Sequence, residues 1–204
     1  FAGLRHAFSG HDVPSSSMRP GLVPGDDFFV DTLTPHVSPI RRGEPIVFAD
    51  PCHPGEDMVK RVVALAGDTV EIRCNVLYVD GKAAPSTLVT EKESYPERRL
   101  GKSIDHFVSR YHETLDGRGY DVFHDVMRPL RDVLGAPVGD MHDFPRREQP
   151  ALPACPGATP LGEYVLGPLG RSCDLQLAYR VPPGTVFVLG DNRADSLDSR
   201  SWGP

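Results

Sequence analysis

Three hydroxyls in a row, Ser15, Ser16 and Ser17, stand between Pro14 and Met18, with Pro20 close behind. Each proline fixes its own φ and biases the residue before it away from helix. The serines are therefore expected on a stiff, extended or turning segment, which is a suitable mount for a nucleophile. The same composition also fits an ordinary loop. A serine hydroxyl attacks poorly until a neighbouring base takes its proton, so its chemistry depends on which base the chain offers.

Lysine is scarce: Lys60, Lys82, Lys92 and Lys102 are all there are. Three of them lie in polar, loop-like surroundings. Lys60 instead interrupts Met58-Val59-Lys60-Arg61-Val62-Val63-Ala64-Leu65, the most apolar strand candidate. Side chains alternate faces along a strand, so Lys60 shares its face with Met58, Val62 and Ala64. Burial disfavours an ammonium and lowers its pKa toward the range where a neutral amine accepts a proton. An arginine there would stay charged. The alternative is an edge-strand lysine whose ammonium reaches water along its stem. A serine on a rigid loop and a lysine in apolar company are the minimum kit for a Ser-Lys nucleophile and base.

A third polar group lies at the end of the chain. Phe187-Val188-Leu189 reads as a strand and ends in Gly190, followed by a dense alternation of acids, arginines and serines as far as Trp202-Gly203. Either this is a solvated loop, or Asp191, Arg193, Asp198 and Arg200 pair and stiffen it, and a serine within it reaches back to orient the lysine. A Ser-His reading competes, because His11-Asp12 precedes Ser17 closely. No GxSxG nucleophile elbow occurs, however, and His11 also reads as a plain loop residue.

These groups need elements to hold them. The chain has 204 residues, enough for one large or two small domains, and 20 glycines with 21 prolines among short apolar runs favour β structure with many turns. The net charge of −6 argues against nucleic acid as a partner. No apolar run approaches the ~20 residues that span a bilayer, and the chain does not begin with methionine. Residues 1–12 read as an irregular lead-in. Strands are expected at 28–31, 44–48, 57–65, 68–73 and 76–79, the last entering a tight turn at Asp80-Gly81. From about residue 85 the chain becomes charged and irregular, with a hairpin over 105–124 and a short helix within 125–134. Strands return at 164–166, 175–181 and 185–189. The expected architecture is mainly β: a body from 1–83 and 161–204, with an irregular, β-rich subdomain inserted at 84–160.

The four cysteines, Cys52, Cys74, Cys155 and Cys173, form no CxxC pair, and Cys52-His53 lacks a second pair of ligands for zinc. Disulfides joining Cys155 to Cys173 and Cys52 to Cys74 are one reading; buried thiols are the other.

Together the serine segment, the lysine strand and the last loop resemble bacterial type I signal peptidase, the Ser-Lys leader peptidase. Pro14-Ser15-Ser16-Ser17-Met18-Arg19-Pro20-Gly21-Leu22 with Gly25-Asp26 is similar to the family's PSxSMxPTLxxGD segment. Arg42-Gly43-Glu44-Pro45-Ile46-Val47-Phe48 is similar to its RGDIVVF strand, and Val59 to Asp68 to its IKRxxGLPGD segment. Gly190-Asp191-Asn192-Arg193 through Ser196, Asp198-Ser199-Arg200 and Trp202-Gly203 match GDNRxxSxDSRxWG. The motifs keep the family's order and cover roughly 13–82 and 185–203. Ala66 replaces a proline, Gly21 a threonine, and Ala194-Asp195 an Asp-Asn pair, none of them a catalytic group.

The resemblance implies an antiparallel β catalytic domain with an inserted β-rich region, and Ser17 as nucleophile with Lys60 as general base. Ser15 and the Ser17 N–H would form an oxyanion hole, and Ser196 would orient the amine. It implies an ion pair of Arg61 with Asp191, with Asp198 and Arg200 remaining candidates for ion pairs in the last loop. Substrate would lie as a strand along Asp57, Met58 and Val59, with shallow pockets from Val13, Pro14, Met18 and Leu22 accepting small residues at −1 and −3. It implies no cofactor and no metal. The partners would be signal-peptide-bearing preproteins and a membrane lipid surface, and the site would face outward from the bacterial cytoplasmic membrane, on a chain lacking the family's transmembrane anchor. That oxidising side favours the Cys155–Cys173 disulfide. Two other readings stand beside this one. Self-cleaving repressors share the Ser-Lys pair, but no helix-turn-helix or basic surface is present. A non-catalytic β-domain could bind extended peptides by strand addition.

Overall fold

The structure, a computed structural model, describes residues 8–34, 38–99, 102–135, 143–145, 155, 163–166 and 177–204. Its strands pair antiparallel throughout. β1 (Phe8–Asp12) and β2 (Asp27–Asp31) form a two-stranded ribbon with the 3-10 turn Ser16–Met18 between them in sequence. β3 (Pro45–Ala49), β4 (Asp57–Leu65) and β13 (Val186–Leu189) form a three-stranded sheet with β4 in the centre. β5 (Thr69–Arg73), β6 (Val76–Val79) and β7 (Lys82–Ala83) join β11 (Tyr164–Leu166) and β12 (Leu177–Arg180) in a five-stranded sheet. β8 (Ser86–Arg99), β9 (Lys102–Leu115) and β10 (Arg118–Asp125) make a separate three-stranded sheet. Among the described residues are also two short helices, α1 (Arg128–Leu134) and α2 (Ser199–Trp202).

Most boundaries follow from local chemistry. β4 spans the apolar run that the sequence predicts. The turns at Asp80-Gly81 and Asp116-Gly117 place both residues at positive φ, the backbone that two-residue hairpins need and that Asp-Gly supplies. In α1, Pro129 sits in the first turn, where no N–H is missed.

Two expectations fail. Residues 8–12 are a strand, not an irregular lead-in; Phe-Ser-Gly-His-Asp carries no strand pattern and is ordered by its pairing with β2. Residues 86–99 form a 14-residue strand where an irregular segment is expected. β8 is an edge strand with register shifts between Leu88 and Glu93, and most of its side chains through Glu97 are exposed. Period-2 alternation is therefore absent from it, and Pro96 is tolerated at the edge.

The cysteine pairing is also corrected. Cys155 bonds Cys52, with Cα atoms 5.2 Å apart, so neither Cys155–Cys173 nor Cys52–Cys74 forms. Cys74 is disulfide-bonded as well, and Cys173 lies outside the described residues. Neighbours in sequence do not decide such pairing; the fold brings together residues 103 positions apart. Non-reducing digestion is expected to release the Cys52 and Cys155 peptides joined, and Cys52→Ser to cost about 4–5 kcal/mol, the chain-entropy value for a loop near 100 residues. A Cys155–Cys173 linked peptide would overturn this.

One apolar core serves several sheets. Val63 and Ala64 of β4 meet Val70 and Ile72 of β5, Tyr111 of β9, Val122 of β10, Tyr179 of β12 and Phe187 of β13. The frame behind Lys60 is therefore packed from both ends of the chain and from the β8–β10 sheet.

Candidate active site

Lys60 lies in the centre strand of its sheet, flanked by β3 and β13, and is only 2% exposed. Its Nζ donates to Ser17 Oγ at 2.9 Å and to the Val59 carbonyl at 2.9 Å. Burial lowers its pKa below the usual lysine value; the more distant Asp198, Asp50 and Asp191 pull the other way without reversing the shift. Burial thus makes the amine in contact with the serine hydroxyl less basic than an exposed lysine.

Ser17 occupies the 3-10 turn and is 9% exposed. Ser15 Oγ lies 3.1 Å from Ser17 Oγ. The turn is tied down from outside. Leu22 N–H donates to Met18 O at 2.9 Å and Asn192 N–H to Ser17 O at 3.0 Å. Gly190 passes so close that a Cβ on it would sit 2.5 Å from Ser17 O, so this position admits no side chain.

The last loop is a lattice of buried charges. Arg61 forks onto Asp191 at 2.7 and 2.6 Å and donates to Gly43 O. Arg200 forks onto Asp198 at 2.8 and 2.7 Å. Burial would raise the Asp198 carboxyl, but Arg200 and the Gly190 N–H hold it below the ordinary range. Arg193 reaches out of the loop to Glu113 of β9, which also accepts from Tyr120 OH at 2.6 Å.

Most of the residues singled out from sequence converge. Val13, Pro14, Met18, Asp57, Met58 and Val59 line a cleft of about 180 Å³ that ends on Ser17 and Lys60. Leu22 does not; it lines a neighbouring groove of about 810 Å³ that shares Met18 and Val59 with the cleft. Ser196 Oγ is buried beside Asp198, whose carboxyl it helps to hold down; the lysine amine bonds Ser17 and Val59 instead. His11 lines the cleft, but its Nε2 bonds Ser9 Oγ at 2.9 Å, away from Ser17.

Sequence reasoning missed Asn192, whose side chain donates to Ser16 O and to Tyr95 OH. It stands in the GDNR run and so was visible without a role. Tyr95 and Glu97 carried no signal at all. Two sets of potential metal ligands come together, Asp50 with His53 and Glu56, and Glu97 with His106 and Asp195. Neither includes Ser17 or Lys60. Asp50 is engaged with the Cys52 and His53 N–H groups and the His53 ring, and Glu97 with Ser16 and His106.

Residues 4–204 match the family described as signal peptidase, peptidase S26. The chain is 32% identical to signal peptidase I of Aquifex aeolicus, over 95% of its own length and 68% of that protein's. It is 31% identical to signal peptidase I of Bacillus caldolyticus, with 96% and 71% covered. A probable signal peptidase I-1 of Synechocystis is 34% identical over 94% of this chain and 61% of its own.

Proposed function

The chain belongs to the signal peptidase family, peptidase S26, as a serine endopeptidase that removes signal peptides from preproteins, and we propose that it does so with Ser17 as nucleophile and Lys60 as general base. The observation that carries this is the 2.9 Å contact between Ser17 Oγ and a lysine amine that burial has made less basic.

Ser17 Oγ attacks the scissile carbonyl while the neutral Lys60 amine takes its proton. The oxyanion is met by the Ser15 hydroxyl and the Ser17 N–H. The lysine ammonium then protonates the leaving amine, and water, activated by the same amine, releases the signal peptide from its ester. Ser196 lies in the last loop, 190–203, without a hydrogen bond to that amine, and the Val59 carbonyl is the second group that holds it. Arg61–Asp191 braces that loop against β4, and Asp198–Arg200 stiffens it from within. Residues 1–83 and 161–204 form the catalytic body, in which β13 pairs with β4 across the insertion at 84–160.

The substrate lies extended along Asp57–Val59 with small residues at −1 and −3. A cleft of about 180 Å³ has to take the peptide backbone together with the −1 and −3 side chains, which favours alanine over large residues there. A preprotein with alanine at −1 is expected to be cut, and the same preprotein with phenylalanine at −1 to be cut at least about 100-fold more slowly, since a steric misfit of a few kcal/mol has that effect. Equal rates would refute the pocket assignment.

The site faces outward from the bacterial cytoplasmic membrane, in contact with lipid. The Cys52–Cys155 disulfide suits that oxidising side. Among the described residues no helix is long and apolar enough to cross a membrane.

A further inference from the structure

The β8–β9–β10 sheet supplies no group to the chemistry above, yet two of its side chains end on the turn that carries Ser17. Glu97 of β8 accepts a hydrogen bond from Ser16 Oγ at 3.0 Å. Tyr95, two residues earlier on the same strand, accepts from Asn192 Nδ2 at 2.6 Å. That same amide group donates to Ser16 O at 3.2 Å, and the Asn192 N–H donates to Ser17 O. The nucleophile and its neighbour are thus held on one side by Asn192 and on the other by Glu97.

Both holders are themselves rigid. Tyr95 is buried between His106 and Phe123, with ring centroids 5.3 and 5.8 Å away and planes within 9° and 5° of parallel. The Arg19 guanidinium lies 4.9 Å over its ring. Phe123 fixes the far side of Asn192: its N–H donates to Asp191 O, and its carbonyl accepts from Arg193 N–H, each at 2.8 Å. His106 Nε2 lies 3.0 Å from Glu97 Oε2, an ion-pair distance without hydrogen-bond geometry. A three-residue 3-10 turn has little stability of its own, with one i to i+3 bond from Arg19 N–H to Ser16 O. Its orientation has to come from outside.

We propose that Tyr95 and Glu97 are positioning residues for the nucleophile: Tyr95 acts through Asn192, and Glu97 through Ser16, to hold the Ser17 turn at the distance and angle from which Ser17 Oγ meets Lys60. This rests on the assignment of Ser17 and Lys60 made above. Neither residue lines the cleft, so the expected effect is on the attack by Ser17 and not on the shape of the cleft. Their loss misplaces the attacking oxygen, and displacements of about 1 Å at a reacting centre are costly in rate.

The test uses the full chain in detergent with a preprotein carrying alanine at −1 and −3. Tyr95→Phe keeps the ring stack and removes only the hydroxyl; Glu97→Ala removes the acceptor, and Glu97→Gln keeps an acceptor oxygen. Tyr95→Phe and Glu97→Ala are each expected to lower kcat about tenfold, the worth of one well-made hydrogen bond, with KM within about twofold of the parent. Glu97→Gln should recover most of that loss. In a Ser16→Ala background, Glu97→Ala should add nothing, because its route to Ser17 is already cut. Thermal melting of each variant separates positioning from unfolding. Parent kcat in both Tyr95→Phe and Glu97→Ala overturns the proposal, and so does a loss that appears in KM or in the folded fraction, or one that adds in full to Ser16→Ala. Ser17→Ala in the same assay distinguishes the premise: turnover retained there would refute the assignment of Ser17, whatever residues 95 and 97 do.

Discussion

Lys60→Arg is expected to lose turnover as completely as Lys60→Ala, by about 10³-fold or more. The substitution keeps the positive charge and the long apolar stem, so a structural or purely electrostatic lysine would survive it in part. A base would not, because guanidinium does not give up its proton in the accessible range. Ser17→Ala should match it, and Ser15→Ala should leave a slower enzyme, by about 10²–10³-fold for one oxyanion donor. The pH dependence follows from the sign of the shift. Lys60 is a cationic acid whose folded pKa is lowered, by burial first, and only its neutral form accepts the serine proton. Activity should therefore be low in acid and rise with pH, with a midpoint below the reference value of about 10.4. Stability carries the same sign. Between the lowered pKa and the ordinary one the unfolded chain binds the extra proton, so the Lys60 contribution to stability rises with pH across that window. Near-normal turnover in Lys60→Arg would end the dyad assignment. Abolition by His11→Ala together with survival of Lys60→Ala would reopen the serine–histidine reading, for which the structure gives no Ser17–His11 contact.

The parts of this site that could be read from the chain are those whose signal is local. Lys60 betrays itself because a charged side chain breaks an apolar alternation, and Ser17 because two prolines stiffen its surroundings. The Asp-Gly turns and the β4 run follow from backbone preferences of a few residues. What could not be read is whatever depends on distant approach. Cys52 meets Cys155 through the fold, and proximity in sequence pointed to the wrong partners. β8 is exposed on most of its length through Glu97, so no periodicity marks it as a strand; its order comes from β9. Tyr95 and Glu97 therefore reached the nucleophile unannounced. Among the loop charges, Asp191 finds Arg61, as the resemblance implied. Arg193 finds a partner in Glu113, 80 residues away, which no local pattern could indicate.

That pair sets the second large effect. Glu113→Ala is expected to destabilise the protein by about 3–5 kcal/mol, the usual cost of removing one member of a buried ion pair. The Arg193 side chain is 4% exposed and that of Glu113 1%, so the guanidinium left behind has no water to turn to. Arginine cannot escape by deprotonating. Tyr120 OH loses its acceptor in the same step, and a buried hydroxyl without a partner adds to the penalty. The Arg61 guanidinium, stacked 4.0 Å over the Tyr120 ring, ties this damage to β4. Arg193 Nε also holds Gly190 O at 3.1 Å, one residue from Asp191 and two from the Asn192 that grips Ser17 O, so turnover should fall at temperatures where the variant is still folded. Glu44→Ala is the control. Its partner Arg118 is about as exposed as Glu44 itself, and an exposed pair of that kind is worth roughly 0–1 kcal/mol. Urea titrations should show a lower midpoint for Glu113→Ala at an unchanged slope, and little movement for Glu44→Ala. Replacing Arg193 by Met in the Glu113→Ala background should recover part of the loss, because it removes the stranded charge. A Glu113→Ala midpoint no lower than that of Glu44→Ala would mean that Arg193 finds another partner on the insertion, and that the charge lattice around the last loop tolerates repair.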